Sequence, residues 1–155
     1  KIGSDEENVY LSNWFHCFFV VDGVEFSSGE QYMMFSKAKL FGDFATATKI
    51  LATDDFRTIK KLGRMVKPFD GKTWDANREQ IMYHGLLAKF EQNPELKQQL
   101  LDTGDAILAE CAQLDKIWGI GLRMTSPNRF YPDKWKGKNL LGKTLMAVRE
   151  TLAAK

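Results

Sequence analysis

The chain has 155 residues, 44% hydrophobic and 12% aromatic, the length of one ordinary domain with enough apolar material for a sizeable core. Its 22 Lys and Arg against 20 Asp and Glu leave a formal charge of +2, far from the basic balance of a dedicated nucleic-acid scaffold, so any anionic partner has to be met locally. Cys17 and Cys111 lie far apart and outside any C-x-x-C motif, which excludes a disulfide framework or zinc ribbon and suits a reducing cytoplasm.

No run reaches the roughly 20 apolar residues that cross a bilayer, and the opening Lys1-Ile2-Gly3-Ser4-Asp5-Glu6-Glu7 lacks the apolar stretch of a signal peptide. One cytoplasmic domain over residues 1–155, without a membrane partner, is expected.

Residues 17–26 place Asp22-Gly23 between two β-prone runs, a hairpin signal because glycine tolerates positive φ. Ser27-Ser28-Gly29-Glu30 then opens a helix to about Phe41, with Tyr32, Phe35 and Lys39 at helical spacing. Short helices are predicted over 43–52 and 54–62, the second opened by Thr53 and ended by Gly63. Asp75 is placed to cap a longer helix to about Gln92, and Asn93-Pro94 to start another that stops at Gly104. Residues 106–111 read as a short strand. Residues 119–138, crowded with Gly, Pro, Asn and Asp, read as a long loop of the kind that often carries function. Leu141, Leu145, Val148 and Leu152 form one stripe on a last helix that Asn139 is placed to cap. The predicted class is helix-rich α+β, with helices around a small sheet.

Glu30, Met34 and Lys37 stand at i, i+4 and i+7, which returns Lys37 to within about 20° of Glu30 and about 10 Å further along one helix face. That spacing brackets a ligand-sized gap. Ser27-x-x-Glu30 equally fits a capping box, and a lone Lys37 equally fits a solvated surface. Asp115 suits a turn as well as a site, and Trp74 a core as well as a stacking platform; a cap suits Asn139 better than a ligand contact. Stretches 57–72 and 129–143 are rich in Lys and Arg. Such runs are usually solvated helix faces, but they are the places to receive phosphates, with Arg64 and Lys67 beside Gly63 foremost. His16 and His84 have no cluster of ligating residues around them, and neither G-x-S-x-G, G-x-G-x-x-G nor a Walker loop occurs. No metal and no cofactor is expected.

Four segments in order carry a family likeness: Leu11-Ser12-Asn13-Trp14; Ser28-Gly29-Glu30-Gln31-Tyr32 with Lys37 seven residues after Glu30; Asp115-Lys116-Ile117-Trp118-Gly119-Ile120-Gly121; and Trp135-Lys136-Gly137-Lys138-Asn139-Leu140-Leu141-Gly142. Together with Trp74 and Lys89-Phe90 they resemble the NADAR, or YbiA-like, family over nearly the whole chain. One departure is Gln31, where many relatives carry His; a proton-transfer role there is lost, while hydrogen bonding survives.

The resemblance implies a mainly helical fold with a small sheet and cleavage of N-glycosidic bonds in phosphorylated ribosyl compounds. It also implies a lysine that attacks the anomeric carbon, which by position is Lys37. Such a lysine must be neutral, hence partly desolvated, before it can form a Schiff base with the opened ribose. Glu30 is then a ribose-hydroxyl anchor or acid/base, and Asp115 a second carboxylate candidate. The substrate-binding set is Asn13, Gln31, Tyr32, Arg64, Lys67, Trp74, Trp118, Gly119 and Asn139.

The leading expectation is removal of ADP-ribose from ADP-ribosylated guanine, with ADP-ribosylated DNA among the partners. The alternatives are hydrolysis of phosphorylated early riboflavin intermediates and a module that binds ADP-ribose or nucleotides without turnover.

Overall fold

A computed structural model describes residues 8–155; residues 1–7, on which the signal-peptide reading rests, lie outside the described residues. They group into two units, one of residues 13–95 and one of residues 8–12 with 96–155.

The first unit opens with the expected hairpin. Strands β1 (His16–Val21) and β2 (Val24–Ser28) pair antiparallel as a two-stranded sheet, with Phe19 opposite Phe26 and Val21 opposite Val24. Asp22 and Gly23 adopt φ of 50° and 79°, the pair of left-handed residues that a two-residue type I′ turn needs.

Helix α1 (Gly29–Leu40) follows directly, capped by Ser28, whose hydroxyl accepts from the Gln31 N–H at 3.1 Å. The cap therefore lies one residue beyond the Ser27 of the predicted box. Helices α2 (Phe44–Leu51) and α3 (Phe56–Arg64) start at Asp43 and Asp55, whose carboxylates accept from Thr46 N at 3.1 Å and Thr58 N at 3.0 Å. Thr53 does not cap α3; its hydroxyl accepts from Asp55 N at 3.1 Å. Gly63 does not end α3 either. It lies buried within the helix against Met34 of α1, whose side chain a Cβ there would overlap.

Helix α4 (Gly71–Glu91) begins earlier than predicted, at Asp70, which accepts from Thr73 N at 3.0 Å. Asp75 is already helical and pairs with Arg78 one turn on, at 2.9 Å. Asn93 closes α4 onto the hairpin instead of capping the next helix: its amide donates to Lys89 O at 2.8 Å and Phe18 O at 3.0 Å. Two apolar clusters hold this unit: Ala38, Ala47, Ile50, Ile59 and Val66 join α1, α2 and α3, while Phe19, Phe26 and Tyr32 seat the sheet on α1.

Helix α5 (Pro94–Asp102) leads into the second unit and ends at a turn in which Gly104 has φ of 59°. Residues 106–111 form no strand. The bonds a neighbouring strand would supply come from one side chain: Asn139 donates from Nδ2 to Leu108 O at 2.9 Å and accepts at Oδ1 from Glu110 N at 3.0 Å. The stretch 119–138 is irregular, with single 3₁₀ turns at Pro127–Phe130 and Pro132–Lys134. Helix α6 (Leu140–Ala153) buries Leu141, Leu145, Val148 and Leu152, the predicted stripe. The class is helix-rich α+β as expected. No helix among the described residues is long and apolar enough to cross a membrane.

Candidate active site

Lys37 lies two turns into α1, half-buried. Its Nζ sits 4.9 Å from the centre of the Phe69 ring and 5.8 Å from that of Trp74, within cation–π range of both. Burial against these rings pushes the ammonium below the usual lysine range, and the Glu30 carboxylate opposes that shift. Trp74, in the first turn of α4, is buried; Phe69, two residues before that helix, is half exposed. The amine is therefore walled by aromatics and reachable from outside.

Glu30 occupies the second position of α1, and its N–H donates to Asn13 O at 3.0 Å. Gly29 is required beside it, because a Cβ would stand 2.6 Å from Asn13 Oδ1. The chain at Asn13 thus docks on the first turn of α1, which brings Asn13-Trp14 and Ser28-Gly29-Glu30 together. The Asn13 amide donates to Met82 Sδ at 3.7 Å, while its Oδ1 is buried and, among the described residues, without a hydrogen-bond partner.

The structure gives several of the expected contact residues partners within the chain. Gln31 is 4% exposed and both ends of its amide are committed: Oε1 accepts from Ser27 N at 2.8 Å and Oγ at 3.1 Å, and Nε2 donates to Ile50 O at 3.2 Å and Thr53 O at 2.8 Å. It braces α1 against the end of α2 and has no capacity left for a ligand. Tyr32 points into the core, its hydroxyl donating to Ile81 O at 2.9 Å and its ring set edge-on to Phe26. Arg64 and Lys67 are solvent-exposed at the end of α3 and in the following turn, so neither is a buried phosphate contact.

In the second unit, Asp115 Oδ1 accepts from Ile117 N at 3.0 Å and Trp118 N at 2.9 Å, an Asx turn that fixes the half-buried Trp118. Gly119 sits where a Cβ would come within 2.7 Å of Asp115 O and 3.0 Å of Glu110 O. The two C-terminal motifs interlock: Asn139 N donates to Gly119 O at 3.0 Å, Lys138 N to Lys116 O at 2.8 Å, and Leu141 N to Trp118 O at 3.1 Å. With its amide bound to residues 108 and 110, Asn139 is 1% exposed; it is an internal strut, and its side chain does not cap α6. Burial, and secondarily Asp115, raises the Glu110 carboxyl above its usual range.

Sequence reasoning gave three groups no role. Phe69 had no motif to mark it. Arg78 is 8% exposed, with Nη1 on Asp75 and a buried Nε that has no partner among the described residues. Lys89 is fully buried, 5.1 Å from the Phe90 ring and 5.7 Å from Phe15, and burial pushes it down to about 8 against an opposing influence of Cys17. The signal for Arg78 was its spacing, one turn after Trp74.

The NADAR domain model matches residues 2–153. The chain is 44% identical over 145 residues to N-glycosidase R617 of Acanthamoeba polyphaga mimivirus, covering 90% of this chain and 85% of the relative. It is 36% identical over 134 residues to N-glycosidase YbiA of Escherichia coli K12, covering 86% and 74%. The NMR structure of E. coli YbiA superposes with a TM-score of 0.76 at 33% identity, over 94% of this chain and 78% of that one. A riboflavin biosynthesis protein of Vibrio vulnificus, VVA0006, is 32% identical over 148 residues; 96% of this chain spans 36% of its length. By family model, sequence and fold together, the chain belongs to the NADAR domain family.

Proposed function

We propose that this protein removes ADP-ribose from ADP-ribosylated guanine, in nucleotide or nucleic acid, by covalent catalysis through Lys37. The coarser activity, hydrolysis of an N-glycosyl bond, is the one named for its relatives R617 and YbiA, and the chain is a hydrolase of that class. The observation that carries the finer reading is the Lys37 amine, half-buried over Phe69 and Trp74 and within the influence of Glu30.

A neutral Lys37 donates its lone pair to C1′ while the C1′–N bond breaks and its electrons leave with the base, which takes up a proton. Glu30, poised at the start of α1, supplies that proton or holds a ribose hydroxyl. Opening of the ribose ring gives an iminium between C1′ and Nζ. Water then adds to C1′, the amine leaves, and free ADP-ribose is released. Exclusion of water by the aromatic walls favours the neutral amine, and the rings offer a flat surface to a flat leaving group.

Incubation with ADP-ribosylated guanosine, with mass spectrometry of the released nucleoside, tests the reading. Free guanosine and ADP-ribose, together with a borohydride-trapped adduct on Lys37, are expected; no release, or an adduct on another residue, overturns it. A second reading, hydrolysis of phosphorylated riboflavin intermediates, is favoured by the likeness to VVA0006. The same assay with those intermediates distinguishes the two.

A further inference from the structure

Strand β2 has 5 residues and α1 has 12, so both span about 17–18 Å, and the helix that folds back from Ser28 ends level with the Asp22-Gly23 turn. Between that turn, the later part of α1 and Ile81 of α4 lies a hollow of about 350 Å³. This is near the lower end of the roughly 300–1,000 Å³ of small-molecule sites. Lys37 does not line it. Phe35 and Lys39, two residues to either side of Lys37, are each turned about 200° from it and face the other side of the helix.

The hollow is apolar inside and charged at its mouth. Its walls are the buried Phe26 and the half-buried Val24, Phe35 and Ile81, with Leu40 exposed at the helix end. Phe26 already meets two rings edge-on, Tyr32 at 5.2 Å and Phe35 at 5.3 Å, an arrangement that the ring quadrupoles favour. The Tyr32 hydroxyl is committed to Ile81 O, so recognition of ligand charge falls to the rim. There Asp22 and Lys39 are exposed and opposite in sign, and among the described residues neither forms an ion pair.

We propose that this hollow binds a free aromatic α-amino acid, its ring against Phe26, Phe35 and Ile81, its carboxylate at Lys39 and its ammonium at Asp22. The walls select the ring and the rim selects the charges. A purely apolar ligand leaves the rim unused. An anion alone is opposed by Asp22 and a cation alone by Lys39, whereas a zwitterion complements both. The volume suits one ring system and not the base, two sugars and diphosphate of ADP-ribose. This site is separate from the proposed N-glycosidase chemistry and stands whether or not that reading holds.

The test is an amide ¹H–¹⁵N titration of the wild-type protein with L-phenylalanine, N-acetyl-L-phenylalanine, L-phenylalaninamide and L-alanine. L-Phenylalanine is expected to move the amide signals of Gly23, Ser36 and Lys39. The acetyl derivative lacks the ammonium and the amide lacks the carboxylate, and each should bind about threefold or more weakly. L-Alanine, without the ring, should move nothing. Two variants assign the charges. Asp22→Asn keeps a residue type that tolerates φ of 50°, and Lys39→Gln alters an exposed side chain, so both leave the fold intact. Asp22→Asn should bring L-phenylalanine down to the affinity of its acetyl derivative, and Lys39→Gln to that of its amide.

Equal binding of the three phenylalanine compounds overturns the charge assignment. Signals at Gly23, Ser36 and Lys39 that stay in place at tens of millimolar L-phenylalanine overturn the site itself. So does loss of binding in Lys37→Ala, which would put the ligand at the proposed catalytic amine instead.

Discussion

Glu30 and Lys37 sit seven residues apart on α1, and the carboxylate opposes the fall that burial imposes on the lysine's proton affinity. This pairing sets how activity depends on pH. A depressed ammonium loses its proton at lower pH than an exposed lysine, so kcat/KM should rise with pH and level off below the range of an ordinary lysine. In Glu30→Gln the opposing charge is gone, and the rise should move to still lower pH. A pH–rate profile of both proteins checks this; a shift to higher pH would show the coupling to have the other sign.

Substitution of Lys37 separates nucleophile from cation. Lys37→Arg keeps a charge near Phe69 and Trp74 but cannot form a Schiff base, so it should fall as far as Lys37→Ala, by about three orders of magnitude or more. Single-turnover assays with borohydride trapping measure both. Retention of activity in Lys37→Arg would mean that the residue acts only through its charge.

Lys89 offers a stability test away from the proposed chemistry. Its folded value of about 8 lies below the ordinary 10.5, so the folded state binds fewer protons than the unfolded chain between those limits. Stability from this group therefore rises as pH goes from 8 toward 10.5, by about 1 kcal/mol per pH unit, and the full penalty for burying the amine applies below pH 8. Denaturant unfolding at pH 8, 9 and 10 should show this rise in the wild type and a smaller slope in Lys89→Met.

Gly85, on the face of α4 that meets Tyr32, tests the fit of α1 against α4. A Cβ there would collide with Cδ2 and Cε2 of a ring tethered by its hydroxyl to Ile81 O. Gly85→Ala gains about 1 kcal/mol of helix propensity but overpacks a ring that cannot yield, at about 1–3 kcal/mol or more. A net fall in Tm of a few degrees is expected by calorimetry. Unchanged or raised stability would show that Tyr32 can give way.

Removing Asn139's amide should cost more than removing an ordinary cap. Asn139→Ala leaves Leu108 O and Glu110 N without their partners and places alanine at φ of 54°. A loss of about 2–4 kcal/mol follows, read by denaturant unfolding. Asn139→Gly, which relieves the backbone conformation alone, should recover only a small part.

What could be read beforehand was local. Asp22-Gly23 forces a turn by its own dihedral preferences, and the 3.6-residue period of α1 put Glu30 and Lys37 on one side. Elements fixed by distant groups were harder. Residues 106–111 have strand-like composition, but a side chain 29 to 31 residues away takes the bonds that a strand partner would make. Asp70 and Asp75 are equally good caps by residue type; the structure starts α4 at Asp70, whose carboxylate holds Thr73, and buries Trp74 in the first turn. Arg78 was hidden for a related reason: an Arg three residues after an Asp reads as a surface pair, and nothing in the sequence says that one partner is buried. The interlocking of the two C-terminal motifs was equally invisible, because sequence order hides which backbones lie side by side.

The Asn139 strut has an evolutionary corollary. It clasps the base of the segment that leaves at Leu108 and returns at residue 139, and Gly119, Ile120 and their partners at 136–139 tighten the same base. The far part, around 123–134, is mostly exposed. Chain length and sequence at that tip can therefore drift, with insertions included, while the clasp keeps Trp118 and α6 in register. Divergence among relatives should accordingly concentrate between residues 123 and 134, which makes that tip the natural place for lineages to acquire new partner or substrate preferences without refolding the domain.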